Sequence, residues 1–222
     1  MKIAVMQPYF LPNIGYFELL NNVDIFVLYD DCNYINKGWI DRNFININGS
    51  KIYFKIPLNS RSQNKHIKDI FLTDDNSWKI KLSKSCNHHF SNVEDYFIKY
   101  ELLKKNLYFP SNNLVFFIKN SIEIICDYLS IDTKIILSSS LKLQPSLKGQ
   151  NKIIAICKYL GFDHYINPIG GKNLYDKNLF NQNNIKLSFH ESLLKDNYEF
   201  YYCSILQSIF LKEKKFLLDM FR

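Results

Sequence analysis

Two short apolar runs, Ile3 to Met6 and Ile25 to Leu28, bracket a proline- and glycine-containing turn and an apolar helix, and this spacing constrains the fold most. Uninterrupted apolar strands of this kind belong in a covered, mostly parallel sheet. The turn holds Pro8, Pro12 and Gly15, and the helix is expected from about Tyr16. The second run delivers Tyr29, Asp30 and Asp31 at its end. In a parallel sheet both strand ends lie on one edge, where open α/β folds bind ligands. Polar residues concentrated at strand tips therefore read as a site. The plainer alternative is that the prolines and the glycine only shape a tight strand-to-helix turn.

The remaining pattern alternates strand and helix. Core strands are predicted at residues 2–7, 24–30, 134–138, 164–167 and 185–189. Phe44 to Ile47 and Lys51 to Ile56 flank Asn48-Gly49-Ser50, a hairpin turn signal, and strand character follows from Ile67 to Leu72. Helical periodicity runs from Trp78 to about Leu129, broken near Pro110, with Asp74 or Asn76 as the expected first cap and a long helix from Leu114. A helix from about Leu147 to Leu160 stops at Gly161. Pro168-Ile-Gly-Gly-Lys172 precedes a helix expected at Leu174 to Phe180, and two amphipathic helices end the chain. The expected architecture is α/β: a Rossmann-like, mostly parallel sheet with a helical C-terminus. It is read as one domain over residues 1–222, with a β-hairpin and helical insertion at about 44–130.

Composition narrows the function. The chain is 47% hydrophobic and 16% aromatic, which argues for a packed core and against disorder. No stretch approaches the roughly 20 apolar residues that span a bilayer, and the N-terminus enters a strand without a signal-peptide pattern. With five scattered cysteines that form no C-x-x-C pair, a reduced, cytoplasmic protein without membrane insertion is expected. Cys126 and Cys157 fall in apolar helical patterns and read as core. The net charge of +7 comes mostly from lysine. Lysine at helical spacing is a solvated face or a field favouring an anionic ligand, such as a nucleotide diphosphate or an acidic carrier protein. Nucleic acid is not expected, because the three arginines, Arg42, Arg61 and Arg222, form no basic block.

Gln7, Tyr9, Tyr16, Tyr29, Asp30, Asp31, Arg42 and Asn43 form the candidate hydrogen-bonding set. One aspartate is expected to act as a base and the other to cap or to pair with Arg42. Neighbouring strand residues face opposite ways, so the two aspartates are not expected to chelate a metal, and no cofactor is called for. A second candidate is Gly170-Gly171-Lys172, whose backbone N–H groups and ammonium suit a phosphate, although a simple connection explains the glycines equally well. His88-His89, His66 and His164 make no metal motif, and no serine or cysteine sits in a nucleophile elbow. The first turn is similar to that of nucleotidylyltransferases, but Asn13 and Tyr16 stand where their H-x-G-H histidines hold phosphates. That reaction would lose its charge stabilisation here.

Met6 to Phe17 (M-Q-P-Y-F-x-P-x-x-G-Y-F), Tyr29 to Asp31, Gly38 to Asn43 (G-W-I-x-R-N) and Ile56 to Leu58 together resemble the WbqC-like family. The likeness continues through Ile153 to Gly161, Tyr165, Gly170-Gly171 and Ser204 to Phe210, and so covers nearly the whole chain. It departs at Gln207, where the family usually has aspartate, and at His88 to Ser91. The resemblance implies a cytoplasmic role in bacterial surface polysaccharide, especially O-antigen with modified amino sugars. It suggests acyl or aminoacyl transfer to a nucleotide-linked amino sugar, with Asp30 or Asp31 as base and an acidic acyl carrier protein as a candidate donor. The alternative it leaves open is a non-catalytic nucleotide-sugar-binding or assembly protein of that pathway.

Overall fold

A computed structural model of the chain describes residues 1–192, 194–195 and 198–221. Strand β1 (Lys2–Met6) leads through helix α1 (Ile14–Asn21) to β2 (Ile25–Leu28). The hairpin β3 (Arg42–Ile47) and β4 (Ser50–Lys55) follows, then a small pair, β5 (Leu58–Asn59) and β6 (Phe71–Leu72). Helices α2 (Ser77–Phe90), α3 (Tyr96–Leu107) and α4 (Leu114–Leu129) lead to β7 (Lys134–Leu137). Alternation resumes with α5 (Gly149–Leu160), β8 (His164–Pro168), α6 (Lys177–Gln182) and β9 (Lys186–His190). Helices α7 (Ile205–Leu211) and α8 (Lys214–Asp219) come last.

The five core strands form one parallel sheet in the order β7-β2-β1-β8-β9. The chain therefore winds outward from β1 to one edge, then crosses to build the other half from β8. That is the Rossmann-like order, and its reversal lies between β1 and β8, where a crevice opens outside the carboxyl ends. Alternate side chains feed two cores. Ile3, Val5, Val27, Tyr165 and Leu187 pack with Ile153, Ile156, Cys157 and Phe180 of α5 and α6. Ala4, Phe26, Leu28 and Ile166 pack with α1, α4 and α7 on the opposite face. Cys126 and Cys157 are buried, as their patterns require. No helix among the described residues is long and apolar enough to cross a membrane.

Several local expectations change. The hairpin turn is tight: Ile47 pairs with Ser50, while Asn48 and Gly49 have φ of 48° and 82°, the left-handed pair of a type I′ turn. Residues 67–72 are not one strand; a 3-10 turn over Ile67–Asp69 precedes the two-residue β6. Neither Asp74 nor Asn76 caps α2 with its side chain. Asp75 instead accepts from the Ser77 N–H at 2.8 Å and hydroxyl at 2.9 Å. The helix expected at 174–180 is displaced because Ile169–Leu174 winds as a 3-10 turn and Asp176 caps α6 through the Asn178 N–H.

Candidate functional site

The turn after β1 is built under strain. Buried Leu11 has φ of 44°, a left-handed conformation that costs a β-carbon-bearing residue on the order of 1–3 kcal/mol. Two distant segments hold it. The Leu11 carbonyl accepts from Asn43 Nδ2 at 2.7 Å and from the Ser204 hydroxyl at 2.9 Å. The Phe10 N–H donates to the Ile40 carbonyl at 3.1 Å, and the Ile205 N–H to the Pro12 carbonyl at 2.8 Å. Asn13 caps α1 by accepting from the Tyr16 N–H at 3.3 Å. A β-carbon on Gly15 would lie 2.4 Å from the Tyr201 hydroxyl, so glycine at that position lets Tyr201 lie against the helix.

A cavity of about 740 Å³ opens over this turn, at the carboxyl ends of β1, β8 and β9. The turn and α1 supply Tyr9, Asn13 and Tyr16; the hairpin side supplies Trp39, Arg42, Phe44, Lys51 and Tyr53. Pro168 to Gly170 and His190 come from strand ends, and Ser192, Lys195, Tyr201 and Tyr202 from the segment after β9. Trp39, Tyr53 and Tyr202 stay substantially exposed, leaving aromatic surface free at the cavity. Its charged walls are Arg42, Lys51 and Lys195, and no aspartate or glutamate lines it among the described residues. Lys51 Nζ lies 4.9 Å from the Phe44 ring centre. Arg42 is held beside Trp39, 5.4 Å from its ring, by donating from Nε to the Gly38 carbonyl at 3.0 Å and from Nη2 to that of Lys37.

Burial raises the hydroxyl pKa of Tyr9, Tyr16 and Tyr201, so these remain protonated donors at neutral pH. Burial lowers that of His190, which keeps the imidazole neutral. His190 Nε2 is shut from solvent with no hydrogen-bond partner, a state that costs on the order of 1–3 kcal/mol.

Aromatic faces, three cations and a neutral imidazole thus meet at the sheet's switch point, a set of groups chemically suited to an anionic, ring-bearing molecule. Compared with protein families, residues 7–211 match the WbqC-like protein family. The chain belongs to that family. It is also similar to "Uncharacterized protein Rv1507c" of Mycobacterium tuberculosis (strain ATCC 25618 / H37Rv). The two are 24% identical over 197 residues, covering 86% of this chain and 82% of the relative. No solved structure matches it.

The WbqC-like motif residues divide sharply. Tyr9, Tyr16, Arg42, Asn43 and Gly170 line the cavity. Gln7 does not: its Nε2 donates to Cys32 Sγ at 3.4 Å and its carbonyl accepts from the Tyr16 hydroxyl at 3.1 Å. Gly171 is buried against Asn167, whose Nδ2 would lie 2.0 Å from an added β-carbon, and Lys172 is exposed outside the lining. Gln207 is buried and pairs with the Asn46 backbone, accepting at 2.8 Å and donating at 3.0 Å. A carboxylate could not make the second bond.

Asp30 and Asp31 also lie outside the lining, at the β2–β7 side of the sheet edge. The expected alternation fails because β2 ends at Leu28, and both carboxylates turn toward the Ser138 hydroxyl. Asp30 is buried and accepts from Ser138 Oγ at 3.0 Å, Ser139 N–H at 2.9 Å and Ser139 Oγ at 2.5 Å. Asp31 pairs with Lys152 at 2.7 Å, whose ammonium also lies 5.0 Å from the Tyr29 ring centre. The expected pairing with Arg42 is therefore corrected, since Arg42 donates to backbone carbonyls instead. Among the described residues no group of three or more His, Cys, Asp or Glu side chains could hold a metal ion.

Sequence reasoning missed His190, Trp39, Lys51, Tyr53, Ser192, Lys195, Tyr201 and Tyr202. His190 carried the same signal as Asp30, since it directly follows the expected strand at 185–189. Tyr201 and Tyr202 carried none, because only tertiary packing brings the C-terminal segment to Gly15.

Proposed function

We propose that this WbqC-like protein transfers an acyl or aminoacyl group to the amino group of a nucleotide-linked amino sugar, in bacterial surface polysaccharide (O-antigen) biosynthesis. The observation that carries the reading is the cavity: exposed aromatic faces, Arg42, Lys51 and Lys195, and no described carboxylate in its lining. A nucleotide sugar offers a flat base, a doubly charged diphosphate and a polar ring, and each has a matching wall. The volume of about 740 Å³ lies within the range of about 300–1,000 Å³ usual for small-molecule sites. In this reading Arg42, Lys51 and the Gly170 backbone hold the diphosphate, while Tyr9 and Tyr16 border the sugar. Amide formation then needs an oriented amine, a proton acceptor and a thioester held in line. A basic chain, at net +7, suits an acidic acyl carrier protein as donor. Work in the cytoplasm is part of the same reading and suits five free cysteines.

The lack of a described carboxylate in the lining gives weight to one other reading, a nucleotide-sugar-binding or assembly protein without turnover. One experiment separates them. The protein is incubated with UDP-, GDP- and dTDP-linked amino sugars and acyl- or aminoacyl-pantetheine thioesters, with mass spectrometry of the sugars and calorimetry alongside. A mass increase equal to the acyl group supports transfer. Binding without product favours the second reading, and no binding by any nucleotide sugar defeats both.

A further inference from the structure

Resting on the transferase reading, we infer that His190 is the proton acceptor of the reaction, taking the proton of the attacking amine on Nε2. Three observations converge on it. It stands at the carboxyl tip of β9, paired in register with Pro168, where the Pro168–Gly170 segment enters the same cavity. Its Nε2 has no hydrogen-bond partner and lies closed to water at the cavity wall, so a turn of the ring that brings it to an entering N–H donor satisfies it. No other described lining side chain can accept a proton at neutral pH. Arg42, Lys51 and Lys195 are cations, burial keeps the protons on Tyr9, Tyr16 and Tyr201, and no carboxylate among the described residues lines the cavity. Burial disfavours a charged imidazole, which keeps it ready to accept.

The step balances within the named reactants. The amine lone pair attacks the thioester carbonyl, a C–N bond forms, and the amine proton passes to His190 Nε2. As the tetrahedral centre collapses, the C–S bond breaks, and the leaving thiolate recovers that proton from the imidazolium. His190 ends neutral, and the products are the amide and the free thiol. Asp30 and Asp31, both outside the cavity lining and already hydrogen-bonded, are not required.

The test uses the full chain and the nucleotide amino sugar and acyl-pantetheine pair that gives product. His190→Gln is expected to lower kcat by about 10²- to 10⁴-fold with KM within about threefold. Added imidazole should partly restore His190→Ala, and His190→Asn serves if the glutamine variant folds poorly. The wild-type acid limb in kcat/KM should fall below pH 6.5, the ordinary value from which His190 is lowered, and should be absent in His190→Gln. Wild-type kcat in a folded His190→Gln overturns this inference and leaves the transferase reading standing. Nucleotide-sugar binding without product by the wild type overturns both, and calorimetry recognises that case. An imidazole that titrates above about pH 7 by NMR of the free protein overturns the assignment whatever the substrate, because it would carry a proton at working pH.

Discussion

Two polar clusters sit on the same edge of one sheet, and they are opposites. At the tips of β2 and β7, Asp30, Asp31, Ser138, Ser139 and Lys152 satisfy one another, and Asp30 and Lys152 are almost fully buried. At the tips of β1, β8 and β9, Arg42, Lys51, Lys195 and His190 surround open volume, and the imidazole nitrogen is unpaired. The first cluster reads more loudly in the sequence, as two adjacent carboxylates. The second carries the unsatisfied valences. Polar groups already saturated by their neighbours hold a fold together, whereas groups left unsatisfied around a cavity await a ligand.

The largest effect should come from breaking the closed cluster. Asp30→Ala removes the acceptor of the Ser139 N–H and hydroxyl and one of the two carboxylates at the buried Ser138 hydroxyl, and is expected to cost about 3–4 kcal/mol in urea denaturation. Asp31→Asn leaves the Lys152 ammonium buried without its counter-charge, for a loss of about 1–3 kcal/mol. Nucleotide-sugar affinity per folded molecule should hold in both. An Asp31→Asn protein of unchanged stability that has lost turnover would reverse the comparison and make the carboxylates the chemical site.

Next in size is Asn43→Ala, which joins the hairpin to the strained turn. It removes the donor to the Leu11 carbonyl and the acceptor for the Phe44 N–H, both buried, at a cost of about 2–3 kcal/mol. Unlike the aspartate variants it should also weaken nucleotide-sugar binding, because Tyr9, Asn13 and Tyr16 ride on that turn. Denaturation and calorimetry on one preparation read the two effects separately.

The sheet was legible because uninterrupted apolar strands and helical periods are local signals, and all five core strands lie where the runs predicted them. The turn motif was legible as important but not as strained, since nothing in the sequence around Leu11 announces a left-handed leucine; Asn43 and Ser204, far away in the chain, make it tolerable. Asp30 and Asp31 misled because adjacency in sequence says nothing of what packs around them. Ser138 and Lys152 arrive from elements more than a hundred residues later. Half of the cavity wall belongs to the hairpin and the C-terminal segment, which reach it only through tertiary packing.

Gly15→Ala is a finer probe of the open cluster. Alanine favours the helix by about 0.5–1 kcal/mol, but its methyl would meet the Tyr201 hydroxyl end at 2.4 Å and push that ring from the wall. The two contributions oppose each other, so net stability should change by less than about 1 kcal/mol. Nucleotide-sugar affinity should still fall about tenfold, a 1.4 kcal/mol effect. Equal changes in stability and affinity would mean that Tyr201 is a packing residue and not part of the binding surface.

The smallest effect is the pH dependence of stability, to which His190 of the open cluster contributes along with two groups outside it. His190 is lowered from 6.5 by burial, and His164, whose Nε2 lies 2.7 Å from Ser188 Oγ, is lowered chiefly by burial as well. Below 6.5 the unfolded chain therefore binds more protons than the folded one, so stability rises with pH. The contribution is complete above pH 6.5 and is lost as pH falls through the folded values. Glu18, raised from 4.5 by burial and only partly offset by the Ser192 hydroxyl, acts the other way: stability falls as pH rises from 4.5 through its folded value. Urea midpoints between pH 4 and 8 should show His190→Gln and His164→Gln each flattening part of the rise toward pH 6.5, and Glu18→Gln removing the opposing fall. A His190→Gln curve that superimposes on the wild type would mean that the imidazole is as well solvated in the fold as in the unfolded chain. The open cluster would then lack the dry, unpaired group that sets it apart from the closed one.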